Sequence, residues 1–186
     1  MLDPQDSGLV SQEKGVPPGA QSNPEGTPNI RAELPYNGTV RLVGHRVNED
    51  QDGTLHVGIQ IMCEGRTFDG TASGPAALPD RLRVPALATL RALDDCLQIF
   101  YHGDSNPALV LDDVVEVSVG DFPVAVVMVT ASEKAKSTPV VAACPLIGMS
   151  DLAIIVATLQ ATVRIVSHWL AWGDQNPPPA EQMRPQ

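Results

Sequence analysis

Four histidines, His45, His56, His102 and His168, are the side chains best suited to moving protons near neutral pH, and two aspartate doublets, Asp94-Asp95 and Asp112-Asp113, are candidates for paired carboxylates. Neither set forms a catalytic pattern. The histidines are scattered, and none stands four residues from another histidine with the glutamate that a helical zinc site requires. Adjacent aspartates on a strand point to opposite faces, and on a helix they diverge, so neither doublet can flank one reacting atom. A glycine-rich phosphate loop and a G-x-S-x-G nucleophile elbow are both lacking, and no cysteine lies beside an evident base. The chemistry predicted is binding rather than catalysis, without metal or cofactor.

Three cysteines, Cys63, Cys96 and Cys144, sit far apart inside apolar runs and without C-x-x-C spacing. An odd count so spaced predicts buried free thiols in a reducing cytoplasm. The first residues, MLDPQDSG, carry no basic and apolar leader, and Asn37-Gly38-Thr39 is expected to be a turn rather than a glycosylation site.

What remains is the backbone at helix starts, where unpaired N–H groups and the helix dipole attract anions. Two such positions are predicted, Gly74-Pro75-Ala76 and Gly148-Met149-Ser150, each just ahead of a helical pattern. A carboxylate or phosphate ligand fits there, and an ordinary helix cap is the competing reading.

The elements that would hold these positions follow from hydrophobic periodicity. Leu152, Val156, Leu159, Val163, Val166 and Leu170 step by four and three residues, which predicts a helix from Ser150 to Trp172. Ile154, Ala161, Ile165, Trp169 and Trp172 make its other side apolar as well, so one sheet cannot cover it. A membrane span is disfavoured by Thr158, Gln160, Thr162, Arg164, Ser167 and His168, Arg164 above all. The surplus face is therefore assigned to a partner, and a homodimer through Ile154, Ala161, Ile165, Trp169 and Trp172 is expected.

Upstream, TVRLVGHRV, TLHVGIQIMC and TFDGTASG read as three strands joined by short polar turns. In the second, Leu55, Val57, Ile59 and Ile61 face one way and His56, Gly58, Gln60 and Met62 the other. A helix follows, with Ala86, Leu90, Leu93, Leu97 and Phe100 in period and Pro85 in its first turn. The same order then recurs as ALVLDDVVEVSV, DFPVAVVMVTA and TPVVAAC before the long helix. ATLRA from Ala88 matches ATLQA from Ala157, 69 residues on, and Phe122-Val124-Val126-Met128 is taken as the counterpart of Leu55-Val57-Ile59-Ile61. The predicted class is α+β, two tandem βββα repeats over 38–103 and 107–173, each antiparallel sheet packed by one helix.

Residues 1–36 and 174–186 are Pro-rich and short of aliphatic pairs, and are expected to be a disordered arm and tail around a folded core at 37–173. The net charge is -10, with 12 Lys and Arg and no basic patch, which excludes a nucleic-acid binder.

The repeated strand, strand, strand, helix order resembles the C-terminal regulatory domain of 2-isopropylmalate and citramalate synthases, over residues 38–172. Gly70, Gly74 and Pro75 ahead of the first helix are loosely similar to that family's Gly-Asn-Gly-Pro-Val turn. ALPDRLRV replaces the family's acidic residue at the helix start, and the catalytic barrel that precedes the domain is lacking. The resemblance implies a dimeric, non-catalytic module that senses a small metabolite, without specifying which. Two alternatives stand beside it. One is a hotdog-type thioesterase, disfavoured because each helix here follows its strands. The other is a scaffold that recruits partners through its Pro-rich ends.

Overall fold

The computed structural model describes residues 40–102, 106–148 and 150–173. The Pro-rich arm at 1–36, the tail at 174–186 and Met149 lie outside the described residues. So does the side chain of Trp172, although its backbone belongs to the last helix.

The chain folds as two βββα repeats. β1 (Val40–Glu49), β2 (Thr54–Cys63) and β3 (Arg66–Pro75) form one antiparallel sheet in that order, followed by α1 (Asp80–Phe100). β4 (Ala108–Val119), β5 (Phe122–Glu133) and β6 (Lys136–Pro145) form a second antiparallel sheet, followed by α2 (Ser150–Gly173). The α+β class and the duplicated order are as the sequence predicts. A register shift interrupts the first two strands of each sheet at the same relative place, between Leu42 and Gly44 and between Leu111 and Asp113.

Each helix touches both sheets. α1 rests on β2 and β3 and reaches β4, α2 rests on β5 and β6 and reaches β1, and the helices pack on each other. Both helices are therefore buried over most of their circumference, whereas each sheet has one face inward and one outward. The inward row of β2 is Leu55, Val57, Ile59, Ile61 and Cys63, all but fully buried. Removing each such aliphatic side chain from water is worth roughly 1.5–3 kcal/mol, which fixes the register of the sheet.

The ATLRA and ATLQA segments are structurally equivalent. Thr89 Oγ1 donates to the Pro85 carbonyl at 2.8 Å, and Thr158 Oγ1 donates to the Ile154 carbonyl at 2.7 Å, the same back-bond one turn earlier in each helix. Ala88, Thr89, Leu90 and Ala92 are buried in α1, and Ala157, Thr158, Leu159 and Ala161 are buried in α2.

Three expectations are corrected. α1 begins at Asp80, so Pro85 lies inside the helix and is itself buried there, and the turns before it, DRLRV, are helical too. The inward row of β5 is Ala125, Val127, Val129 and Ala131, not Phe122, Val124, Val126 and Met128. Strand side chains alternate with period two, so pairing the copies at an odd separation turned every residue of β5 to the wrong face. Finally, α1 brings Cys96 to Cys63 on β2 with a Cα separation of 6.7 Å, within reach of a disulfide, and the two are bonded; only Cys144 is a free thiol. The bond withdraws the thiol count as a reason to place the chain in a reducing compartment.

The glycines of the resemblance serve packing. A Cβ on Gly70 would collide with the Ala88 carbonyl and stand 2.9 Å from the Ala92 Cβ, and one on Gly74 would stand 2.9 Å from Val84 Cγ2. α1 thus lies directly on the backbone of β3 at Gly70. The inward positions of β6 carry Val140, Ala142 and Cys144 instead.

Candidate functional site

The first helix start does not offer the free donors expected of it. Gly74 and Pro75 end β3, and Gly74 is paired with Leu55 in the sheet. Pro75 has no N–H, and the Ala76 N–H donates to the Gly53 carbonyl at 2.8 Å. Within α1 itself, Arg81 N–H donates to Ala77 and Leu82 N–H to Pro79. At the second start Gly148 is exposed with φ 78, and Ser150 is half-buried as the first residue of α2. Asp151 already supplies a carboxylate to the first turn of α2, where it faces Arg81 at 3.5 Å. The first position is closed by the chain's own groups, and the second carries the chain's own carboxylate beside it.

Arg81 and Arg83 are used as ties. Arg81 bridges Glu49 at the end of β1, at 3.0 Å, and Asp151 on α2; Arg83 pairs with Asp113 at the β4 bulge, at 3.2 Å. They connect α1 to both sheets and to α2.

The structure also brings together three residues that sequence reasoning left apart. His56 Nδ1 lies 2.8 Å from Ser73 Oγ, and His56 Nε2 lies 2.9 Å from Asp50 Oδ2. With Asp50 accepting from Nε2–H, Nδ1 accepts the Ser73 hydroxyl proton, an order of serine, histidine and aspartate shared with nucleophilic hydrolases. His56 and Ser73 are a direct cross-strand pair, a relation that only the register reveals. The side chains of His56 and Asp50 are 45% and 61% exposed, so water surrounds the relay and no dry, preorganised surroundings stabilise a developing charge. Its physical work is to brace the β1–β2 turn against β3.

Two other groups have altered acidity. Burial, and secondarily Asp95, pushes the Asp94 carboxyl up from 3.8 to about 6. Burial also pushes the Cys144 thiol up, which makes it a poor nucleophile. Among the described residues no three His, Cys, Asp or Glu side chains converge as a metal site.

The surface that stands out is the outward face of the second sheet. Cross-strand rows run Val115, Val126, Ala143 and Val117, Val124, Pro145, flanked by Met128 opposite Val141 and by Val119 opposite Phe122. Val119, Phe122 and Val141 are 62%, 65% and 58% exposed. The matching face of the first sheet presents Arg41 to Met62, Gln60 to Asp69 and His56 to Ser73, each pair hydrogen-bonded.

The residues expected to wait for a partner are instead covered within the chain. Ile154, Ala161 and Trp169 are buried and Ile165 is partly buried against the core. α2 is long and apolar enough to cross a membrane from Ser150 to Ala171, but its apolar surface is occupied by α1 and the second sheet. No protein-family model matches the chain, and no curated protein matches it, so these surfaces stand on their own chemistry.

Proposed function

We propose that the protein is a non-catalytic binding module that works as a homodimer and joins its second copy through the outward face of the β4–β6 sheet. The observation that carries this reading is the contrast between two sheets of one topology. One turns hydrogen-bonded polar pairs to solvent, and the other turns out rows of valines with Phe122 and Met128, its polar pairs Asp112–Thr130 and Ser132–Ser137 gathered at one end. Apolar patches of that extent on soluble chains mark association surfaces. Interdigitating β-branched rows are also what two sheets packed face to face require.

The duplicated βββα order supports a regulatory rather than catalytic role, in keeping with the resemblance to synthase regulatory domains. A metabolite site at the first helix start loses its support, since the N–H groups of Ala76, Arg81 and Leu82 are already bonded. The test is sedimentation of the whole chain from nanomolar to micromolar concentration. A reversible dimer is expected, and a monomer throughout that range would remove the reading.

A further inference from the structure

β6 is the outer strand of the second sheet, so one side of its backbone has no strand beside it. The Leu146 N–H donates to the Pro123 carbonyl at 2.8 Å, which sets the phase of the ladder. Val140, Ala142 and Cys144, the inward residues, bond to β5, whereas Ser137, Pro139, Val141, Ala143 and Pro145 turn their backbone groups to the open edge. Such an edge is a template for a further strand. The adjoining run on β5, Val124 to Thr130, is uncharged and rich in β-branched residues, the composition that stacks into unbounded sheets. Both prolines of β6 fall in the outward phase, where an N–H would face a newcomer, and neither interrupts the bonds to β5.

We infer that Pro139 and Pro145 close the β6 edge to strand addition and thereby confine self-association to the face of the sheet. Their spacing suits the strand most alike to β6, which is β6 of a second copy. In an antiparallel register over the whole strand, Val141 meets its own copy, Pro139 meets Ala143 and Pro145 meets Ser137. Every pair except the Val141 pair then lacks a donor, and the carbonyl opposite is left unbonded. Counted from the hairpin pairs Cys63–Arg66 and Glu133–Lys136, Pro75 of β3 is the equivalent of Pro145, and Asp69 is the equivalent of Pro139. The first sheet therefore blunts the same edge with a charge, and Arg91 of α1 also donates to its Thr71 carbonyl. An open β6 edge added to the proposed face contact would give each chain two independent self-complementary surfaces, from which an assembly grows without needing to close.

The experiment uses the full-length chain with Pro139→Thr and Pro145→Thr, followed by sedimentation and light scattering at micromolar concentration. The double variant is expected to exceed the unmodified chain by about twofold in mass or more, rising with concentration, and hydrogen exchange is expected to slow at Val141 and Ala143. A double variant of the same size as the unmodified chain would overturn the inference. Adding Ala143→Pro returns a proline to the outward phase and should restore the unmodified size; growth that persists would mark misfolding instead of edge pairing, and would overturn it too. Pro123→Thr is the control, because that residue faces Leu146 inside the sheet and its replacement opens no edge. Equal growth of that variant would also count against the inference. The face contact is tested separately: an unmodified chain that sediments as a monomer removes it, and the double variant is then expected as a dimer joined through β6.

Discussion

The two sheets share strand order, a bulge at the same relative place and a helix packed on the inner face, yet they divide their apolar residues differently. The β1–β3 sheet spends its large aliphatics inward, at Leu55, Val57, Ile59 and Ile61, and keeps polar pairs outside. The β4–β6 sheet spends small residues, Ala125 and Ala131, on part of its inward row and puts Val115, Val117, Val126, Met128 and Val141 outside. The repeated order therefore fixes topology without fixing what each sheet turns outward. One copy has become a closed surface and the other an open one.

The largest effect expected on stability tests how closely the first sheet receives its helix. Gly70→Val would drive side-chain atoms into the Ala88 carbonyl and Ala92, and should cost about 3 kcal/mol or more, or prevent folding. Val141→Thr on the outward face of β6 should leave the melting temperature of the monomer within a degree or two, because that side chain has no cover to lose. Thermal unfolding of both variants decides whether the contrast is real.

Next in size is the Cys63–Cys96 bond, which ties β2 to α1 across a sequence separation of 33 and has no counterpart in the second repeat. Closing a loop of that length stabilises by about 3–4 kcal/mol in the chain-entropy account, and reduction should remove most of it. Thiol titration of the unreduced protein in denaturant should find one reactive group per chain, Cys144; three would refute the bond.

How much of this was legible from residues depended on whether a pattern had one solution or two. The β2 alternation had one, because Leu55, Val57, Ile59 and Ile61 are all large aliphatics and His56, Gly58 and Gln60 opposite them are not. β5 had two, since Val124, Val126 and Met128 look as core-worthy as Ala125, Val127 and Val129. Only the hydrogen-bonded register decides between them, and the wrong phase hid the open face. α2 is apolar all round for a related reason. The pattern points its second side at another chain, but α1 and the second sheet cover it, and no helical period can reveal which neighbour does so. The Cys63–Cys96 pair and the His56, Ser73 and Asp50 relay were out of reach because tertiary docking and strand register create them.

A smaller effect separates the helices at Asp94, whose position 69 residues on is Val163. The folded chain keeps a proton on Asp94 up to about pH 6, and the unfolded chain releases it near 3.8. Stability should therefore fall as pH rises between these values and stay lower above them. Asp94→Asn should flatten that slope and raise the melting temperature slightly at neutral pH, by well under the full shift because the group is partly solvated. Smallest of all, Ser73→Ala should cost about 1 kcal/mol or less by loosening the β1–β2 turn.

The open-face account is tested most directly by placing the same charges on each sheet. Val117→Glu with Val141→Glu alters the outward face of β4–β6, and Thr67→Glu with Thr71→Glu alters that of β1–β3; both pairs are exposed. Sedimentation at micromolar concentration should show a dimer for the unmodified chain and for the Thr67, Thr71 variant, and a folded monomer for the Val117, Val141 variant. A Val117, Val141 variant that stays dimeric, or a Thr67, Thr71 variant that dissociates, would contradict it.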